Sequence, residues 1–151
     1  MLRLSKKADY ALLAMRHLAA HADREAVSAR ELAETYDIPP ELLAKVLQRL
    51  VRANLLASHQ GIRGGYGLSR DASMVSVADV IQAIDGPLTV TACSEFDRSC
   101  DQYAKCNVRD PLWRIKDRIV SALSATSVAE LASDLDSARP AGAVPVAVVR
   151  K

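Results

Sequence analysis

The sequence predicts a mainly α fold with one small β-hairpin, arranged as a winged helix-turn-helix domain followed by a long helix. Three observations carry this. Half of the 151 residues are hydrophobic but only 4% are aromatic, so Leu, Val and Ala must build the core, which favours helices over a β-sandwich. Apolar residues recur with helical spacing in most segments of the chain. Between two of those segments, LLASH and YGL flank a GIRGG stretch and read as one hairpin.

The first helix is expected over residues 4–22. Ser5 caps its start, and Leu12, Leu13, Met15, Leu18 and Ala19 form its apolar face. Arg3, Lys6 and Lys7 gather at the helix start, where basic side chains and free backbone N–H groups suit a phosphate. His17 and His21 lie four apart, a chelating spacing, but with no third ligand nearby they read as a surface pair.

Ser28-Ala-Arg-Glu31 is a capping box opening a short helix to Tyr36. Asp37-Ile38-Pro39-Pro40 breaks the chain, and a third helix runs from Pro40 to Ala53. Leu43, Val46, Leu47 and Leu50 make its core stripe, while Lys45, Gln48, Arg49 and Arg52 share another face. A helix with both stripes suits the DNA major groove, where Arg and Lys meet guanine edges or phosphates and Gln pairs with adenine. The hairpin after it is a wing, whose glycines allow close approach to a backbone and whose Arg63 suits a narrow minor groove. The expected DNA contacts are Arg3, Lys6, Ser28, Lys45, Gln48, Arg49, Arg52, His59, Arg63, Gly64 and Gly65. Charge agrees: residues 1–70 hold 11 Lys/Arg against 7 Asp/Glu, whereas residues 71–151 hold 9 against 11.

Ser76 starts a fourth helix that ends at Gly86-Pro87, with Val77, Val80, Ile81 and Ile84 as its buried face. Periodicity then lapses until Asp110-Pro111, the cap and first turn of a long helix. Its apolar stripes, Leu112, Ile115, Ile119 and Leu123 beside Trp113, Val120 and the Lys116 stem, exceed what a small domain covers, so a homodimer is expected across it. Thr126-Ser127 caps a last short helix. The domain organisation is thus 1–85 for the reading head, 86–109 for a loop, 110–135 for the dimer helix and short helix, and 136–151 for a disordered tail.

The loop holds every cysteine: Cys93, Cys100 and Cys106, separated by six and five residues. An odd number within a polar loop points to metal rather than disulfides. Thiolates select iron–sulfur clusters, zinc or Cu(I). Structural zinc sites prefer a two-residue knuckle, so the wider spacing suits a cluster better. Three thiolates fall one ligand short, and that ligand must come from another segment, another subunit or a small molecule. No paired nucleophile and base is present, which argues against an enzyme. The N-terminus has no signal-type apolar region and no run is long enough to span a membrane, so the expected location is cytoplasmic.

LRLSKKADYAL, ELAETYDIPPELLAKVLQRLVRANLLASHQGIRGGYGLSRD, VADVIQAIDGPL, the cysteine loop and PLWRIKDRI together resemble the IscR/NsrR-type (Rrf) family of bacterial winged-helix iron–sulfur regulators, from residue 2 to 134. The opening residues also resemble regulators of Suf operons. The resemblance implies a DNA-binding homodimer, most often a repressor, that senses cluster, iron, nitric oxide or redox status through a [2Fe–2S] or [4Fe–4S] cluster on Cys93, Cys100 and Cys106. The IscR kind adds a His three residues after the last cysteine; here that residue is Arg109. The nitric-oxide-sensing branch uses an Asp of the partner's first helix, and Asp9 stands at that position. Alternative readings are a cluster-free thiol-redox regulator and a zinc-stabilised DNA-binding adaptor.

Overall fold

A computed structural model describes residues 3–91 and 100–133. Cys93 and the tail expected from 136 lie outside the described residues.

Helix α1 (Lys6–Ala20) starts at the expected cap: Ser5 is extended and its Oγ accepts the Ala8 N–H at 3.1 Å. Its buried face is Ala8, Ala11, Ala14, Met15 and Leu18. Of the expected face, Met15 and Leu18 are buried, whereas Leu12, Leu13 and Ala19 are only half-buried at its margin, and the three alanines were not expected. Small side chains at successive turns let neighbouring helices come close, so Ala8, Ala11 and Ala14 share the contact line with Met15 and Leu18.

Helix α2 (Ala29–Tyr36) is capped by Ser28, which accepts the Glu31 N–H at 3.1 Å. Only that half of the expected capping box forms. The Glu31 carboxylate instead takes the Arg24 guanidinium at 2.5 and 2.8 Å. Asp37 then adopts a left-handed φ of 51°, and Ile38 donates back to the Ala33 carbonyl at 3.0 Å while burying its side chain. This is a helix C-cap with its apolar contact, and it sets the sharp turn into helix α3 (Pro40–Arg52). On α3, Leu43, Val46, Leu47 and Leu50 are buried as expected; each such burial contributes roughly 1.5–3 kcal/mol. Asn54, at φ 57°, ends the helix in the same way, with Leu55 donating to the Leu50 carbonyl.

Strands β1 (Leu56–His59) and β2 (Gly65–Leu68) pair antiparallel from Leu56↔Leu68 to His59↔Gly65. The wing is fastened to the body by Val27 and Tyr66, which exchange backbone bonds of 3.0 and 2.8 Å. A Cβ on Gly65 would fall on the Val27 carbonyl, and one on Gly64 would strike the His59 and Gly61 carbonyls. The expected reason for these glycines, an approach to DNA, is therefore preceded by an internal one: the chain's own backbone occupies the space.

Helix α4 (Val77–Asp85) has the full reciprocal box that α2 lacks: Ser76 and Asp79 satisfy each other's backbone N–H at 2.9 and 3.1 Å. Helix α5 (Arg109–Ala125) begins one residue before the expected cap. Asp110 lies within its first turn, paired with Arg109 at 2.7 Å, and Val108 occupies the cap position without a side-chain bond. Helix α6 (Val128–Ser133) returns to the body. Val128 donates to Val75 at 2.8 Å, and Arg16 Nε donates to the Leu131 carbonyl at 2.9 Å. Among the described residues no helix is long and apolar enough to cross a membrane.

Gly65→Ala should destabilise the fold by about 1–3 kcal/mol, the usual cost of forcing a methyl group into filled space. The urea midpoint of the purified variant checks this; an unchanged midpoint would mean that the wing is not clamped to Val27.

Candidate nucleic-acid interface and cysteine turn

The outward face of α3 presents Lys45, Gln48 and Arg52, all exposed. Arg49 is also exposed as a residue, but it does not simply join them: its Nη1 donates to the Ile84 carbonyl, in the last turn of α4, at 2.8 Å. At the wing tip Ile62 and Arg63 project into solvent around Gly61, which has φ 120°. Ser28, Arg63 and Gly64 line one shallow hollow together with Arg24 and Glu31. His59 lines a different hollow with Leu18, His21, Glu25 and Tyr66, so the structure separates it from that group. Arg3 and Lys6 are exposed at the start of α1. A helix face, a helix start and a wing tip thus each present basic or amide groups, the kinds of group that can meet a duplex.

The cysteine turn lies at the root of α5. Cys100 and Cys106, both half-buried, bracket a 3-10 turn at Tyr103–Lys105, with Tyr103 donating to the Cys100 carbonyl at 2.9 Å. Arg109 holds this turn to α5. Its guanidinium stacks on the Tyr103 ring at 4.4 Å, lies 5.6 Å from the Trp113 ring and donates to the Tyr103 carbonyl at 3.4 Å. The Asp110 carboxylate raises the Arg109 pKa first, and the nearby Cys106 adds to the effect. The Trp113 Nε1–H is buried and has no acceptor among the described residues.

A soft metal group fits this set in two respects: two thiols on one rigid turn, and a buried N–H donor without an acceptor nearby. Among the described residues no three His, Cys, Asp or Glu side chains gather as a complete site; Cys93 lies outside the described residues. Asp9 sits in the first turn of α1, half-buried.

The sequence suggested neither Arg109 as a clamp nor Asp85 as a partner of Ser5. Asp85 carries no motif, and the Arg109–Tyr103–Trp113 stack has mixed spacing that periodicity does not register. His17 also differs from expectation. It is buried, not a surface residue, because α2 lays Tyr36 against it: Nδ1 is 3.0 Å from the Tyr36 hydroxyl, and the ring stacks on His21 at 4.2 Å.

A family model described as "Rrf2: Iron-dependent Transcriptional regulator" matches residues 4–134. The chain belongs to the Rrf2 family. This Rrf2 protein is 34% identical over 142 residues to the transcriptional regulator IscR of Photorhabdus laumondii, covering 93% of this chain and 85% of that one. It is 44% identical over 87 residues to an HTH-type transcriptional regulator of Mycobacterium tuberculosis, covering 58% of this chain and about half, 54%, of that protein. Among solved structures it resembles CymR, the global cysteine regulator of B. subtilis, with a TM-score of 0.75 and 28% identity over 89% of this chain and 98% of that one. The Rrf2 protein is accordingly similar, along most of its length, to a transcriptional regulator of the IscR kind.

Burial first, and then the His21 imidazole stacked beside it, hold the His17 pKa below its ordinary 6.5. The folded protein then binds fewer protons there than the unfolded chain, so the contribution is full above pH 6.5 and is lost as pH falls below it. Urea midpoints followed from pH 7.5 to 5.5 should decline more steeply for the wild type than for His17→Gln; parallel curves would show that His17 does not carry the decline.

Proposed function

We propose that this Rrf2 protein is a cytoplasmic homodimeric repressor whose DNA affinity follows the state of an iron–sulfur cluster. Cys93, Cys100 and Cys106 hold the cluster, and Asp9 of the partner subunit completes it. The observation that carries the reading is the seat of the cysteine turn: Cys100 and Cys106 flank a turn whose Tyr103 is held by Arg109 against α5, a helix none of whose residues is fully buried. A helix whose apolar stripe is left half-covered, with Ile115 exposed, suits pairing about a two-fold axis. Ligands at the root of such a helix bear directly on how the two reading heads are spaced. When bound, the group supplies a site open to loss, oxidation or nitric oxide; the residues around it hold the thiolates and orient the turn. An oxygen ligand holds iron less firmly than thiolate, which favours sensing over electron transfer.

On DNA, the exposed Lys45, Gln48 and Arg52 address the major groove, Arg63 the minor groove, and Arg3, Lys6 and Ser28 the phosphates. Ser28 uses its oxygen to cap α2, which leaves its O–H proton to donate outward. The bond to Ile84 makes Arg49 partly a positioning residue. His59, Gly64 and Gly65 shape the wing.

A second reading, a cluster-free thiol switch, is favoured by the likeness to the cysteine regulator CymR, for which an oxidised form has also been solved, from Staphylococcus aureus, at a TM-score of 0.70. Anaerobic purification with a visible spectrum and iron, sulfide and zinc analysis decides between them. A coloured protein whose iron and sulfide vanish in the triple Cys→Ala variant is expected. A colourless, metal-free protein whose DNA affinity follows thiol oxidation would replace the first reading with the second, and bound zinc alone would favour a structural adaptor.

Lys45→Ala and Arg63→Ala should each weaken operator binding by about tenfold, a typical cost of one specific contact. The salt dependence of the affinity should flatten by about one phosphate for Arg3→Ala. Arg49→Ala should weaken binding and also lower the melting temperature. Normal binding by the Lys45 and Arg63 variants would displace the docking described above.

A further inference from the structure

We infer that the last turn of α4 is the mechanical link between the cysteine segment and the DNA-contacting surface, with Asp85 as its positioning residue. Helix α4 packs against α1, α3 and α5, so it touches both the reading head and the helix that carries the cysteine turn. Its final residues reach outward in two directions. The Ile84 carbonyl accepts Arg49 Nη1 from α3 at 2.8 Å. The Asp85 carboxylate accepts the Ser5 hydroxyl at 2.5 Å and the Ser5 N–H at 3.2 Å.

Ser5 is the residue that caps α1. Asp85 therefore fixes the hydroxyl that starts the helix, and it places a negative charge at that helix's positive end. Arg3 and Leu4 line one hollow with Asp85 and residues 86–89, so the basic start of α1 rests on the same turn. One residue after Asp85 the chain leaves the helix at Gly86, φ 79°, and runs through Pro87 toward Cys93. Gly86 is bonded directly to Asp85, so a displacement of the chain that leads on to the cysteines acts on a turn bonded to α3 and to the start of α1. Packed helices shift between discrete arrangements rather than bending continuously, so a bonded turn of this kind transmits a displacement.

The inference rests on the sensing function proposed above. It predicts that Asp85 governs the ratio of DNA affinities between the two states, not affinity as such. The test uses the full chain and a duplex selected from a random pool by the wild-type protein. Affinity is read by fluorescence anisotropy for the anaerobically purified, cluster-loaded protein and for the same protein after chelation. Asp85→Ala should bring the ratio of the two affinities at least about fivefold closer to one, a loss within the usual range of allosteric coupling. Any gain from removing a negative charge near the DNA falls on both states and cancels in the ratio.

Ser5→Asp supplies a second route, because Asp also caps helices but repels Asp85. It should shrink the ratio, and adding Asp85→Asn to it should restore part of the loss by giving Asp an amide partner. An undiminished ratio in Asp85→Ala and Ser5→Asp, whatever their melting temperatures, would overturn the link and reduce Asp85 to a cap of α1. A wild-type ratio of one would overturn the sensing function and the link together.

Discussion

The fold depends on the close packing of α1 through its alanines. Ala8, Ala11 and Ala14 are almost completely excluded from solvent, and α1 packs against α2, α3, α4, α6 and the second wing strand. A helix touched on so many sides is helped by small side chains where neighbours come closest, with Met15 and Leu18 filling the wider gaps. This constraint places the recognition helix, the wing and the returning C-terminal helix in fixed relation to one another. It also explains why a residue at the start of α1, Ser5, can report on the position of a turn 80 residues later.

A second constraint is backbone continuity between wing and body. The Val27–Tyr66 exchange turns a two-stranded hairpin, marginal by itself, into an extension of the domain. Gly65 exists for that contact, since the Val27 carbonyl takes the volume a side chain would need. The wing tip therefore projects from a rigid base, and Arg63 is held out by structure that has nothing to do with DNA. Rigid presentation limits the ordering cost of binding, which matters for a side chain with as many rotamers as arginine.

Much of this was legible in the sequence because it follows from local chemistry. Caps at Ser5, Ser28, Ser76 and Ser127, the break at Asp37-Ile38-Pro39-Pro40 and the stripe Leu43, Val46, Leu47, Leu50 each state their structure within a few residues. The failures are long-range. Nothing near His17 announces that Tyr36 will cover it, and nothing near Glu31 announces that Arg24 will take the carboxylate its own helix start was expected to use. On α1, Met15 and Leu18 are buried as expected, but Ala8, Ala11 and Ala14 were missed, because hydrophobicity ranks leucine above alanine whereas helix contact ranks them by how closely they let backbones approach. The cysteines were visible as ligand types, but their seat depends on Arg109 stacking on Tyr103 and Trp113, a tertiary arrangement with no local period.

These long-range bonds also set the energy scale of the proposed link. A hydrogen bond to a charged group contributes about 1.5–3 kcal/mol when it is well formed. Coupling between two ligand sites is typically about 1–3 kcal/mol. The Asp85–Ser5 and Arg49–Ile84 bonds are few, and the first is partly exposed, so together they hold energy of the same order as a regulatory shift. They do not approach the total that the buried core supplies. A link of that size can be broken or strained without unfolding the domain, which a link made from the α1 packing could not be. In the proposed link, stability and regulation rest on different interactions: the buried face of α1 keeps the domain whole, and the bonds of the last turn of α4 carry the coupling.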